Sequence, residues 1–312
     1  MALTNSWREI AIEKATKQPQ MVNFLLNTNP VLANMPMEPT SNGTNHVYEE
    51  MLSITEAQVV DLDEALPTVD STSALKQMNV SAIGGTLIVG EDKAKAFGGP
   101  GYYFNTKIPG ILEKTGNSLE KSTLYNNMRA AAVAAYSNSS LTGNTDHAIL
   151  AGGSGSLLNS IIAVKWESGN TTGLYNPEGF GKGMLFDIKA ISNGALYAHT
   201  DSRLVYGARL KSHFGVLNAN PRNVATIMNI DADNIPTEDE IDTMLEAVRA
   251  DSMNTVIYMH PGTLRLLRAY KDSALRVGVE DKNFDRQIEK WNGIPVVTSY
   301  NFLKNGEAAV TL

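Results

Sequence analysis

Residues 43–92 read GTNHVYEEMLSITEAQVVDLDEALPTVDSTSALKQMNVSAIGGTLIVGED, and this stretch decides how the chain is organised. It holds nine acids (Glu49, Glu50, Glu56, Asp61, Asp63, Glu64, Asp70, Glu91 and Asp92) against the single base Lys76. That net of −8 within an overall −7 leaves the rest of the chain at +1. The runs HVYEEM, AQVVDL and ALPTVD are β-type without helical periodicity, and polar residues occupy both faces. Neither face can bury a core of its own, so residues 43–83 are expected to form an extended two-stranded arm or loop. Composition alone allows a solvated loop equally well. The sharper expectation is a segment that meets a basic surface on another chain.

The sequence before it, residues 1–42, carries one short amphipathic helix at Trp7 to Ala15. Asn- and Pro-rich chain with Pro30, Pro36 and Pro39 follows, and reads as an extended arm. Arg8, Glu9, Glu13 and Lys14 leave no apolar h-region there, so no secretory signal is expected. Beyond the acidic stretch, Asn117 with Glu120 suggests a capped start for a helix running to about 137. Leu124, Met128, Ala131 or Ala132, and Ala135 form its apolar stripe. From Ser156 to Met228, SIIAVKW, GMLFDIKAI, LVYGARL and VATIMNI alternate with Gly/Asn/Pro turns, as in a continuous sheet system. Thr237 and Glu240 form a capping box for a second helix buried through Ile241, Met244, Leu245 and Val248. The strand TVIYM and a helix from His260-Pro261-Gly262-Thr263 with Leu264, Leu267 and Tyr270 follow. The Asn305-Gly306 pair between GIPVVTSYNFL and EAAVTL predicts a final hairpin. The expected class is α+β.

With 312 residues, 43% hydrophobic and 19% charged, the chain has the composition of an ordinary globular protein. No apolar run approaches the roughly 20 residues of a membrane span. The absence of cysteine excludes disulfides, thiol nucleophiles and Cys-ligated metals, and fits synthesis in a reducing cytoplasm. The negative balance argues against a general nucleic-acid binder.

Motifs that imitate catalytic or binding sites fail in detail. Gly152-Gly153-Ser154-Gly155-Ser156 lacks the last glycine of a nucleophile elbow and a clear preceding strand. Asp231 and Asp233 open like a calcium loop, but Ile235, Pro236 and Asp242 stand where a polar ligand, a glycine and a glutamate are needed. Gly179, Gly181, Lys182 and Gly183 lack the spacing and hydroxyl of a phosphate loop. His46, His147, His199, His213 and His260 are scattered. No catalytic residue, metal or cofactor is expected. Two basic groups, Arg203, Arg209, Lys211 and Arg222, then Arg265, Arg268, Lys271 and Arg276, lack the interleaved aromatics of a single-strand binder. They are candidates to receive the acidic segment, with Glu49, Glu50, Asp61, Asp63 and Glu64 as the donating side.

Three passages together resemble the coat proteins of short-tailed and related tailed phages. They are SIIAVKWESGNTTGLYNPEGFGKGMLFDI (160–188), YGARLKSHFGVLNANPRNVATIMNID (206–231, with Gly215 and Arg222), and a helix running into WNGIPVVTSYNF (291–302). Their order and spacing, with the arm, acidic β-segment and alanine-rich helix upstream, carry the resemblance over most of the chain. It departs at Ala65 to Asp70, where the basic residue that usually follows Leu-Pro-Thr is absent. The resemblance implies a Hong Kong 97-like shell fold with an N-terminal arm (1–42), an E-loop (43–83) and a P-domain (84–230, spine helix about 117–137). An A-domain (231–292) and a C-terminal hairpin (293–312) returning towards the P-domain complete it. It further implies a major capsid protein without enzymatic activity, located in the virion after synthesis in the bacterial host cytoplasm. Such a protein self-assembles through hexamers and pentamers, with scaffolding, portal and decoration proteins as partners. Its shell encloses genomic DNA without sequence-specific binding and without a membrane. An encapsulin-like compartment subunit is the alternative from the same fold, and an α/β enzyme with an unrecognised site is the alternative from another class.

Overall fold

The computed structural model describes residues 29–62, 65–139, 141, 143–176, 187–269, 275–279 and 287–312. The helix expected at Trp7–Ala15, the Gly179–Gly183 loop and the bases Lys271 and Arg276 as side chains lie outside this description.

In chain order, a short helix α1 (Pro30–Asn34) leads into β1 (Met37–Pro39), β2 (Asn45–Ile54), β3 (Ser71–Asn79) and β4 (Ser81–Gly90). Then come α2 (Glu91–Ala96), α3 (Pro100–Ser122), a π-helical turn at Thr123–Arg129 and α4 (Ala130–Tyr136). Strands β5 (Ala148–Leu150), β6 (Asn159–Lys165), β7 (Thr171–Tyr175), β8 (Asp187–Ala190), β9 (Tyr197–Ala198), β10 (Leu204–Asn218) and β11 (Val224–Ile230) follow. The chain ends through α5 (Glu238–Ala247), β12 (Thr255–Met259), α6 (Pro261–Ala269), β13 (Leu275–Val279), β14 (Gln287–Trp291) and β15 (Ile294–Thr298).

Among the described residues these strands form three sheets. One has seven strands in the order β13-β14-β15-β12-β6-β11-β5, and one has six, with β1-β7-β10-β4 as its path and β8 and β9 also pairing with β10. The third is the pair β2-β3 alone. The apolar runs read as strands explain the first sheet. Every β6 side chain except Lys165, and every β11 side chain, is buried, as expected for strands covered on both faces. The pleat sends Ile162 and Val164 to one core and Ile161 and Ala163 to the other. The first core unites Leu112, Leu119, Leu124 and Met128 of the long helical stretch with Leu210, Phe214 and Val216 of β10 and with Tyr258 of β12. That stretch therefore lies between the two large sheets. The second core packs α5 and α6 on the opposite face through Ile241, Met244, Leu245, Leu264 and Leu267.

Several expectations need correction. The helix expected from 117 begins at Pro100: Gly99 caps it at φ 112°, a conformation suited to glycine, and Pro100 takes the first helical position, where no N–H is missed. Tyr103, Ile108 and Leu112 bury themselves at helical spacing and carry the helix through Pro109. Asn117 and Glu120 are thus interior residues, not a capping box. The expected final hairpin also fails. The edges of β15 are occupied by β14 and β12, so residues after Asn305-Gly306 pair elsewhere, with Glu307 and Leu158 exchanging backbone hydrogen bonds at 3.1 Å. The tight hairpin turn is instead Asn292-Gly293 between β14 and β15, with φ of 47° and 88°. Finally, AQVVDL and ALPTVD are not strands; they lie in the loop between β2 and β3. Other readings hold: Thr237 and Glu240 make a complete capping box for α5, and Ile241, Met244, Leu245 and Val248 are buried.

Candidate assembly surfaces

Strands β2 and β3 pair antiparallel from Asn45↔Asn79 to Ile54↔Ser71, with an irregularity between Met51 and Ser53. Ten residues of strand reach about 33 Å. At its root the ribbon is anchored: Tyr48 and Met78 pack on Val80, Leu174 and Leu217, and Val80 N–H donates to Thr44 O at 2.8 Å. At the far end Thr55 N–H donates to Asp70 O at 2.9 Å and closes the tip loop. The tip buries almost nothing. Val59 and Leu62 are as accessible as in a free peptide (104% and 105%), Leu66 is 81% exposed, and no residue of β3 is buried. A two-stranded hairpin is marginal in water, and fully exposed aliphatic side chains gain nothing from the hydrophobic effect until something covers them.

Of the acids expected here, Glu49 is exposed and accepts from Ser73 Oγ across the ribbon, and Asp61 is exposed in the tip. The side chain of Glu50, and residues Asp63 and Glu64, lie outside the description.

Among the described residues, the candidate receiving bases are not gathered into one surface. Arg203 is bound within its own loop: its Nε donates to Asp201 Oδ2 at 2.7 Å, and that hydrogen bond holds the Asp201 carboxyl far below the usual carboxylate range. Arg209 and Lys189 both approach the buried Asp187, at 3.5 and 3.3 Å, after β8 has brought it beside β10. Lys211 shares that face of β10 and also has a partner, and together with burial it pushes His213 below its ordinary value. Arg222 sits half-buried in a short 3₁₀ turn whose N–H bonds Asn220 Oδ1 at 3.1 Å. Arg265 stands exposed on α6, beside a cavity of about 370 Å³ that also contains Lys304, Asp231 and Asp233. The Arg268 side chain lies outside the description.

Besides Asp187, two more carboxylates are buried: Glu120, which the sequence suggested as part of a helix cap, and Glu307. Glu120, fully buried, accepts from Val31 N–H at 2.9 Å, Leu32 N–H at 3.3 Å, Asn301 Nδ2 at 2.9 Å and Ser299 Oγ. It thereby ties α1 and the segment after β15 to the long helix. Glu307 accepts from Tyr125 Oη at 2.6 Å, Ser160 Oγ at 2.8 Å and Arg129 Nη1 at 3.0 Å. Burial pushes both carboxyls above their ordinary value, with the donors pulling back, and burial also pushes the Tyr125 phenol well up. The available signal was positional: Glu120 falls on the apolar stripe Leu112, Gly116, Leu124, Met128 at four-residue spacing.

Of the imitation motifs, those at Gly152–Ser156 and Asp231–Asp233 fall among the described residues. Strand β5 does precede Gly152, contrary to the reading above, but Ser154 is exposed and β6 rather than a helix follows, so no strained elbow is made. Asp231 Oδ1 is spent on Asn234 and Asp233 N–H groups at 2.7 and 2.9 Å. His260 Nδ1 accepts from Gly262 N–H at the start of α6. Among the described residues no cluster of three or more His, Cys, Asp or Glu could hold a metal, and no helix is long and apolar enough to cross a membrane.

Comparison with known proteins adds the following. A family model for the major capsid protein GP7 matches residues 13–311. No curated protein sequence matches. Among solved structures, a chain of bacteriophage epsilon15 superposes with a TM-score of 0.55 at 18% identity, over 88% of this chain and 88% of that one. A chain of the bacteriophage JBD30 capsid gives 0.49 at 11% identity, over 85% and 88%. The holo-SrpI encapsulin complex from Synechococcus elongatus gives 0.41 at 10% identity, over 63% and 85%. The epsilon15 likeness shows a shared mixed α/β fold.

Proposed function

Because the chain belongs to the major capsid protein GP7 family, and so is a structural protein of the virion capsid, we propose that it builds its shell by lending the 45–79 ribbon to a neighbouring copy. One observation carries this: Val59, Leu62 and Leu66 are left bare at the end of an acidic ribbon, with no cover from the described residues of their own chain. Contacts of modest area, repeated around closed symmetry, sum to a stable shell although each alone is weak.

On this reading the fold is Hong Kong 97-like: residues 1–42 are its N-terminal arm, 43–83 its E-loop, 84–230 its P-domain and 231–292 its A-domain. The helical stretch 100–136 serves as spine, and 293–312 returns to the P-domain, where Glu120 accepts from its Ser299 and Asn301 and its own Glu307 accepts from Tyr125, Arg129 and Ser160. Copies group as hexamers and pentamers, assisted by scaffolding, portal and decoration proteins, around DNA held without sequence recognition. A net negative subunit suits that role, because it does not trap DNA through phosphate contacts. The role is non-catalytic. Glu49, Glu50, Asp61, Asp63 and Glu64 steer the ribbon onto a basic neighbour.

The test is particle formation. Negative-stain images of the purified full chain should show large closed shells. A chain in which 56–69 is replaced by a short glycine turn should stay folded and remain small. Closed shells from that shortened chain would refute the reading.

A further inference from the structure

The sequence holds four Asn-Gly pairs, beginning at Asn42, Asn193, Asn292 and Asn305, and the fold treats them differently. Asparagine followed by glycine is chemically labile. The glycine nitrogen can attack the asparagine side-chain carbonyl, because no Cβ stands in its way. Ring closure requires that nitrogen to be accessible and the asparagine main chain to rotate out of any tight turn.

Three of the pairs are held. Asn305 N–H donates to Asn159 Oδ1 at 2.9 Å, and Asn305 Oδ1 accepts from Asn159 Nδ2 at 2.8 Å. Gly306 N–H, on the atom that would attack, donates to Leu158 O at 3.2 Å. Asn292 donates its side-chain amide to Asp242 Oδ1 at 3.0 Å, and the β14–β15 ladder runs up to its turn at Trp291↔Ile294. Asn42 N–H donates to Asn45 O at 2.9 Å, and Asn45 N–H returns to Asn42 O at 2.8 Å.

The Asn193 pair has neither restraint. Asn193 and Gly194 are both exposed, and the Asn193 side chain forms no hydrogen bond with the described residues. Its turn is also strained. Ser192 (φ 52°, ψ 37°) and Asn193 (φ 53°, ψ 28°) are consecutive left-handed residues, and Gly194 follows at φ 84°. The left-handed conformation is unfavourable for every residue that carries a Cβ, so opening this turn releases strain that the other pairs do not store in two successive side-chain-bearing residues. On either side the chain is pinned. Ile191 and Tyr197 both rest on Gly207, where an added Cβ would lie 2.8 Å from Ile191 Cδ1 and 2.5 Å from Tyr197 Oη.

We propose that Asn193-Gly194 is a site of spontaneous covalent modification. The Gly194 nitrogen bonds to Asn193 Cγ and loses its proton, and the side-chain amide leaves with that proton as ammonia. The product is a cyclic imide in which one nitrogen joins two carbonyls. Water then adds to either carbonyl and breaks its bond to that nitrogen. Opening at Cγ leaves an aspartate at position 193, whereas opening at the main-chain carbonyl leaves an iso-aspartyl linkage. Water is the only co-reactant, and no electrons are exchanged. Both products add a negative charge. The iso form also inserts a methylene into the main chain between the Ile191 and Tyr197 anchors, which strains the pairing of β9 with β10.

The test uses purified full-length subunits, incubated alone in mildly alkaline buffer. Peptides are scored by mass for conversion of amide to acid, and by chromatography for the iso form. Asn193 should convert at least about tenfold faster than Asn305, whose pair must first break three hydrogen bonds. Asn159→Ala removes the two that involve Asn159, and should accelerate conversion at Asn305 while leaving the rate at Asn193 unchanged. In Asn193→Gln the longer side chain disfavours ring closure, so conversion at that position should fall to background. Conversion of Asn193 no faster than that of Asn305 or Asn292 would overturn the proposal, as would equally fast conversion in Asn193→Gln.

Discussion

The ribbon β2–β3 and the strand β6 are built from the same secondary structure and have opposite energetics. In β6 all but one side chain is buried, because the helical stretch covers one face of its sheet and α5 and α6 cover the other. In β3 no side chain is buried, although it pairs with β2 from end to end apart from one irregularity at Met51–Ser53. Backbone pairing alone does not make a strand self-sufficient; a second layer does. If, as proposed, the ribbon is completed by a neighbouring copy while β6 is finished by its own chain, substitutions in the two should separate stability from assembly.

The largest expected effect on stability lies in the sheet. Ile162→Ala should cost about 2–5 kcal/mol in the unfolding free energy of the tip-shortened monomer, measured by denaturant titration. Leu62→Ala in the full chain should change that stability by less than about 0.5 kcal/mol while lowering the yield of particles. Equal losses of stability at the two sites would erase the contrast.

Glu120→Ala comes next, at about 3 kcal/mol or more, because it strands three buried donors, Val31 N–H, Leu32 N–H and Ser299 Oγ–H, and frees both α1 and the chain after β15. The same residue sets a pH dependence. Its folded carboxyl lies above the ordinary value of 4.5, as does that of Glu307, so the folded state holds those protons more tightly than the unfolded chain. Their contribution is therefore full below 4.5 and lost as pH rises through the raised values. Thermal midpoints should show a shallower decline as pH rises above 4.5 in Glu120→Gln than in the parent. The smallest effect is at the α5 cap: Thr237→Ala removes the acceptor for Glu240 N–H and should cost about 1 kcal/mol, with assembly unchanged.

Much of the fold was legible because burial writes itself as periodicity. The apolar runs SIIAVKW and VATIMNI became β6 and β11, and the box Thr237–Glu240 became the start of α5. The ribbon was legible by default, since a segment polar on both faces cannot close a core. Its second strand was not, because STSALKQMN carries less β-type signal than the AQVVDL and ALPTVD runs, which the ladder passes over. Residues 100–116 were hidden by Gly98, Gly99, Pro109 and Gly110, local breakers overruled by tertiary burial of Ile108 and Leu112. Of the two Asn-Gly pairs after residue 290, Asn292-Gly293 rather than Asn305-Gly306 makes the hairpin, since local turn chemistry says nothing about whether the flanking edges are free. The engagement of Arg209 depended on register, because only the β8–β10 pairing brings Asp187 to it.

The most direct measurement of the central claim is amide hydrogen exchange across residues 55–70, compared between free subunits and intact particles. If a neighbour completes the ribbon, these amides exchange at near-peptide rates in the subunit and become strongly protected in the particle, while β6 amides are slow in both. A tip that exchanges as fast in the particle as in the free subunit would contradict the account.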